Sequence, residues 1–264
     1  MSVITLLTDF GTRDHFIGVV KGIILSINPS AEIVDITHEV RPHNIREGAF
    51  YLLSSYTYFP PGSIHLVVVD PGVGSKRRAI ACKSKDYFFV APDNGILSPV
   101  VEELEEVITL DREDFFHHPV SRTFHARDIF APCSAYISKG IELKELGTPI
   151  SRDELVTFPL KKPHFENDRA EGEVLHIDRF GNIITNFKVS EVLSWAGKEK
   201  IRVLLGKKVV KNWVNSYQEG GNDPFLIEGS SGYLEISLRN RNAAQSFKVK
   251  VESRVVIVKD FPPL

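Results

Sequence analysis

The run IHLVVVD, residues 64–70, places six residues with almost no polar interruption directly before a carboxylate. A strand of this kind has no face to offer water. It fits only a sheet covered on both sides, the arrangement found where strands run parallel and helices make the crossovers. SVITLLTDF and DYFFVAPDN are further apolar runs that end in Asp9 and Asp93, AEIVDIT is a strand that ends in a polar residue, and EVITLD closes the series. FIGVVKGIILSIN repeats apolar residues at helical spacing until Pro29 stops it, NIREGAFYLLSSYTYF predicts a helix over 44–59, and RDIFAPCSAYISKG predicts one closed by Gly140. Strands alternating with helices predict a mostly parallel α/β layer fold.

The pattern changes after KKPHFENDRAEG, residues 161–172, a polar stretch with a proline that reads as a linker. Beyond it EVLHIDRFGNIITNF, KIRVLLGKKVV, FLIEGSSGYLEISL and FKVKVESRVVIV alternate with turn residues, as in a small β-barrel. The expected organisation is an α/β domain over 1–162 and a β-barrel domain over 172–264. With 32 basic and 34 acidic residues the net charge is -2, which gives no support for a nucleic-acid or anionic-membrane partner. No secretory leader or run of roughly 18 apolar residues is present, so a cytoplasmic protein is expected. Cys82 and Cys133 read as buried small hydrophobes.

In open α/β sheets ligands bind beyond the carboxyl ends of the strands. Asp9, Asp70 and Asp93 stand there. One strand-end Asp is more often a cap or a turn former, but three on one rim make a polar cluster. Arg77 and Arg78 follow the Pro-Gly-Val-Gly turn, so one can fold back over Asp70 while the other faces solvent; the alternation alone does not choose between them. RTFHARDIF adds His125, Arg127 and Asp128 at a helix start, where Arg127 and Asp128 read equally well as a structural ion pair and His125 stands in a loop. GVG at 72–74 lacks the dinucleotide continuation, no P-loop or nucleophile elbow occurs, and His38, His117 and His118 stand in no metal-ligand spacing. No cofactor and no metal are expected.

Taken together, LLTDFGTRD, DITHEV, VVVDPGVGSKRRAI, VAPDNG, TFHARDIFAP, DRFGNIITN and SSGYLEI resemble the adenosine-forming S-adenosyl-L-methionine (SAM) hydrolases, also called SAM hydroxide adenosyltransferases, relatives of the fluorinases and chlorinases. The resemblance implies an N-terminal α/β domain, a C-terminal β-barrel, SAM as substrate, and a homotrimer with each active site between one subunit's N-domain and its neighbour's C-domain. It also implies catalytic roles for Asp70, Arg77 and His125, and a grip on the ribose hydroxyls by Asp9 and Asp14. Asn94 of VAPDNG would bind substrate. Asp178 and Asn182 would hold the methionine end with Phe180 packed beside them. Ser230, Ser231 and the segment around Ala243 would form the adenine and carboxylate-binding part. Ala126 replaces the glycine usual in the hydrolase motif, and RNRNAA, residues 239–244, is longer than the related loop. Halogenases of the superfamily carry an aromatic at the position of Asp70 and a serine at that of Ala126, so this chain has neither halogenase marker. Two other readings stand beside the hydrolase: a non-catalytic SAM or adenosine-binding module, which turnover would exclude, and a SAM-dependent halogenase, which Asp70 disfavours.

Overall fold

The computed structural model describes residues 3–260, and the chain divides after Leu160 into two compact units. In the first, the chain runs β1 (Val3–Thr8), α1 (Phe16–Ile27), β2 (Glu32–Thr37), α2 (Ile45–Leu53), β3 (Ile64–Val68), β4 (Ala79–Ser84), β5 (Phe88–Pro92), β6 (Leu104–Leu110), α3 (Ala131–Ser138), α4 (Leu143–Leu146) and β7 (Gly147–Pro149). The seven strands form one mixed sheet in the order β2-β1-β3-β5-β4-β6-β7. Neighbours from β2 to β5 are parallel and those from β5 to β7 antiparallel. The expected mostly parallel sheet is therefore parallel over one half only. β4 and β5 are separated by three residues, and so short a connection can join only antiparallel strands.

Both faces of β3 are covered, as its apolar run requires. Ile64, Leu66 and Val68 pack with Val20 and Ile24 of α1 and with α3, while Val67 and Val69 pack on the other side with Leu52 of α2. The crossover from β1 to β2 and the one from β2 to β3 thus place their helices on opposite faces. The order β2-β1-β3 reverses direction between β1 and β3, which opens a crevice beyond their carboxyl ends. Asp9 and Asp70 lie just past those two ends.

Two helices differ from their predicted spans. α2 stops at Leu53, and only a short turn, Tyr56–Tyr58, follows. Ser55 Oγ donates to the Tyr51 carbonyl at 2.7 Å, a local bond that competes with helix continuation. The helix predicted from Arg127 begins as a π-helical turn over Ala126–Phe130 before α3. Cys82 and Cys133 are free and buried.

The second unit contains β8 (His164–Phe165), β9 (Arg169–Ile177), β10 (Ile183–Lys188), α5 (Val189–Ala196), β11 (Lys200–Leu205), β12 (Lys208–Val210), β13 (Asn212–Trp213), β14 (Phe225–Glu228), β15 (Tyr233–Ser237), α6 (Ala243–Phe247) and β16 (Arg254–Asp260). The strands follow the path β12-β11-β16-β9-β10-β15-β14-β13, with β8 on β9. β9 belongs to two ladders: Arg169–Glu173 pairs with β16, whereas Val174–Ile177 pairs with β10. The two ends of the path, β12 and β13, are consecutive in the chain with only Lys211 between them. The sheet is nearly barrel-shaped, and among the described residues no ladder joins those end strands. Val174, Phe187, Leu226, Leu234, Ile236 and Ile257 are among the residues of its core.

Candidate active site

The segment DPGVGSKR folds Arg77 back onto Asp70. Val73 N–H bonds to the Asp70 carbonyl and Ser75 N–H to that of Gly72, which closes two successive turns. Gly74 has φ of 76°, and a Cβ there would overlap the carbonyl oxygen of Arg122. Glycine at this position therefore permits the turn and lets the loop lie directly against the segment that carries His125.

Arg77 is the centre of the resulting group. Its Nε donates to Asp70 Oδ1 and Oδ2 at 3.1 and 3.0 Å, and Nη2 donates to Oδ2 at 2.5 Å. Nη2 also lies 2.9 Å from His125 Nδ1, and the guanidinium carbon stands 5.2 Å from the centre of the Phe130 ring. The Arg77 and Asp70 side chains are only 9% and 5% exposed, so this pair is largely removed from water. A guanidinium nitrogen can only donate, so His125 Nδ1 accepts and the ring proton sits on Nε2. Burial and, after it, the charge of Arg77 hold His125 below the ordinary histidine pKa, against the opposing pull of Asp70 and Asp128. The neutral imidazole is thus the form matched to this arrangement.

Arg78 does not face solvent, contrary to the expectation for whichever arginine did not meet Asp70. Its Nε donates to Asp93 Oδ2 at 2.8 Å, and Val156 N–H donates to Oδ1 of the same buried carboxylate at 2.8 Å. Adjacent residues at a strand entrance point to opposite sides, and each arginine finds its own buried acid. Asp93 is thereby removed from the polar cluster expected with Asp9 and Asp70. Arg127 and Asp128 form the expected pair at 2.5 Å, and Asp128 is fully buried.

Asp9 Oδ2 accepts the backbone N–H of His43 at 2.8 Å. The DITHEV segment braces the same loop: Gly11 N–H bonds to the His38 carbonyl, and His38 Nδ1 lies 3.0 Å from Thr8 Oγ1. Phe10, next to Asp9, meets Phe124, next to His125, edge-on with ring centres 6.1 Å apart, so the two segments are packed together. Asp14 is exposed. Asn94 donates to the Val69 carbonyl at 2.8 Å and accepts from Ile96 N–H at 3.2 Å, which supports the backbone leading into Asp70.

In the second unit, Asp178 organises the β9–β10 turn. Its Oδ1 accepts N–H from Phe180 at 2.9 Å and from Asn182 at 2.8 Å, and Oδ2 accepts from Asn182 Nδ2 at 2.8 Å. Phe180 projects at the turn with 77% exposure. Gly181 O accepts from Ala244 N–H, which ties the start of α6, including buried Ala243, to this turn. Ser230 is exposed and Ser231 half-buried in the β14–β15 turn, where Lys188 Nζ donates to the Ser231 carbonyl at 3.1 Å. Glu235 and Tyr217 were not among the predicted residues. Glu235 is buried and accepts from Tyr217 Oη at 2.8 Å. Its signal in the sequence is an acid inside GYLEISL, an otherwise apolar strand. Among the described residues no three His, Cys, Asp or Glu side chains converge to hold a metal ion.

Family models of the SAM hydroxide adenosyltransferase N-terminal and C-terminal domains match residues 4–147 and 172–256. A Methanocaldococcus jannaschii protein named (R)-S-adenosyl-L-methionine hydrolase is 39% identical over 272 residues, covering 98% of this chain and 96% of its own. A Thermus thermophilus protein of the same name is 31% identical, covering 95% of this chain and 97% of its own. The crystal structure of an uncharacterized conserved protein from Thermotoga maritima superposes with a TM-score of 0.90 at 38% identity, over 97% of this chain and 99% of that one.

Proposed function

This chain belongs to the SAM hydroxide adenosyltransferase family, and we infer that it hydrolyses S-adenosyl-L-methionine to adenosine and L-methionine. The observation that carries the reading is the largely buried Asp70–Arg77 pair hydrogen-bonded to half-buried His125. The sulfur of SAM leaves C5′ as a neutral thioether, so the leaving group needs no general acid. The protein's task is to make water attack. Arg77 Nη1 has no protein partner among the described residues, and together with His125 Nε2–H it supplies permanent donors for an oxygen that gains negative charge. With Nδ1 engaged by Arg77 and Nε2 already protonated, His125 donates rather than accepts. Asp70 Oδ1, which receives a single N–H, is then the acceptor for the water's proton. In-line positioning of water at C5′ can contribute several of the about 7–11 kcal/mol available from orientation alone.

Asp9 and Asp14 hold the ribose diol in this reading, and Asn94 supports Asp70 from behind. Asp178, Phe180, Asn182, Ser230, Ser231 and Ala243 form the methionine and adenine half. As in the expected assembly, the enzyme is a cytoplasmic homotrimer in which one subunit's α/β domain meets its neighbour's second domain. No described helix is long and apolar enough to cross a membrane.

The test is incubation of purified protein with SAM in oxygen-18 water, followed by chromatography and mass spectrometry. Equal amounts of adenosine and methionine are expected, with one heavy oxygen on the 5′ position. SAM binding without turnover would leave the non-catalytic binding module, and a halogenated nucleoside formed in chloride or fluoride would leave the halogenase.

A further inference from the structure

We propose that Glu235 is a further substrate-binding residue, which takes the cationic amino group of the methionine portion of SAM together with Asp178. The proposal rests on the SAM hydrolase reading and extends it to a residue on a different strand. Glu235 lies on the face of β15 opposite its core residues Leu234 and Ile236, and only 6% of it is exposed. Tyr217 Oη occupies Oε2 at 2.8 Å, whereas Oε1 has no hydrogen-bond partner among the described residues. Gly229, at the turn that leads to Ser230, leaves room for that oxygen, since a Cβ there would overlap Glu235 Oε1 and Cδ. Glu235 is thus placed beside the Ser230–Ser231 turn, expected in the adenine and carboxylate-binding part, and within the electrostatic reach of Asp178, expected to hold the methionine end.

Counting acceptors favours Glu235 as the stronger hand. Asp178 already receives three N–H bonds from its own turn, which leaves it little unused acceptor capacity. Glu235 has received one. A carboxyl buried to this degree within the electrostatic reach of a second acid, and forming no ion pair among the described residues, is in an unfavourable field that an ammonium would relieve. In agreement, burial first and Asp178 after it push the Glu235 carboxyl above the ordinary glutamate range, while Tyr217 pulls the other way. An ammonium donating to Glu235 Oε1 and to the remaining lone pair of Asp178 would be neutralised from two strands.

The test compares Glu235→Gln, which preserves size and the Tyr217 contact, with wild type. Calorimetry with SAM and with adenosine, and steady-state kinetics with SAM, are the readouts. The expected result is a SAM Kd and KM raised about tenfold or more, kcat within about threefold, and adenosine affinity unchanged, because adenosine lacks the amino group. Glu235→Asp, which restores the charge, should recover part of the loss. Unchanged SAM affinity in Glu235→Gln would overturn the proposal. Equal weakening of SAM and adenosine would overturn it too, by showing a structural role only. Absence of turnover in wild type would instead defeat the hydrolase reading, and the two failures are told apart by that control.

Discussion

Replacing Arg77 by lysine separates the charge of this residue from its shape. The guanidinium makes three contacts to Asp70 and one to His125 Nδ1 at once, from nitrogens on two arms of a rigid plane. A lysine ammonium is a single point at the end of a shorter stem; it can neutralise Asp70 but cannot also reach His125. The loss of one charged hydrogen bond costs about 1.5–3 kcal/mol. If that bond is required only as the oxygen attacks, kcat falls about 10- to 150-fold. SAM Kd should stay within about threefold, because Arg77 serves the water rather than the substrate in the ground state. Folding should be retained, since Asp70 keeps a cation, whereas Arg77→Ala leaves a buried unpaired carboxylate and costs about 3–5 kcal/mol of stability. Adenosine formation followed by chromatography gives kcat, and calorimetry gives Kd. A lysine variant that turns over within threefold of wild type would refute the argument that the forked geometry matters.

Gly74→Ala should cost about 1–2 kcal/mol from the left-handed backbone alone, and the added methyl must also push the loop from Arg122; urea unfolding should show the first effect and a tenfold or larger fall in kcat the second, and wild-type kinetics would remove Gly74 from the positioning of His125. Protonating His125 would turn Nδ1 into a donor facing Arg77, so kcat/KM should fall in acid through a value below the ordinary 6.5 that the folded environment depresses; an acid limb at or above that value, or one that persists in His125→Gln, would contradict the tautomer assigned here. His65 is fully buried and its pKa is lowered to about 4, so the unfolded chain binds its proton first as pH falls. Stability from this residue is therefore intact above about pH 6.5 and should be lost by about 3 kcal/mol on going down to about pH 4; denaturant titrations that show the same slope in His65→Gln would rule out His65 as its source.

Much of the first unit was legible because its signals are local. IHLVVVD had to be covered on both faces, and the structure covers it with α1 and α3 on one side and α2 on the other. The Pro-Gly-Val-Gly turn announced that an arginine could return to Asp70. Legibility failed where a choice depended on a partner distant in sequence. The helix expected over 44–59 ends early at a serine pair, where side-chain and helical hydrogen bonds are close in energy. The sheet changes from parallel to antiparallel at a hairpin that a pattern of two apolar runs leaves undetermined. The second unit shows alternating strands as expected, but whether such strands close into a barrel depends on ladders between segments distant in sequence, such as Val258 with Arg169.

By itself the sequence determined the strand-end carboxylates, the turn that follows Asp70 and the His-Ala-Arg-Asp segment, because apolar periodicity and glycine chemistry act over a few residues. The family resemblance pointed to Arg77, but only the tertiary structure gave the physical reason that Arg77 rather than Arg78 meets Asp70, since the alternation of adjacent side chains allows either until Asp93 claims Arg78. It also decided which nitrogen of His125 carries the proton, and that Glu235 is buried beside the Ser230–Ser231 turn. Those features arise from hydrogen bonds and charges between residues that only folding brings within about 3 Å, the distance at which such bonds form.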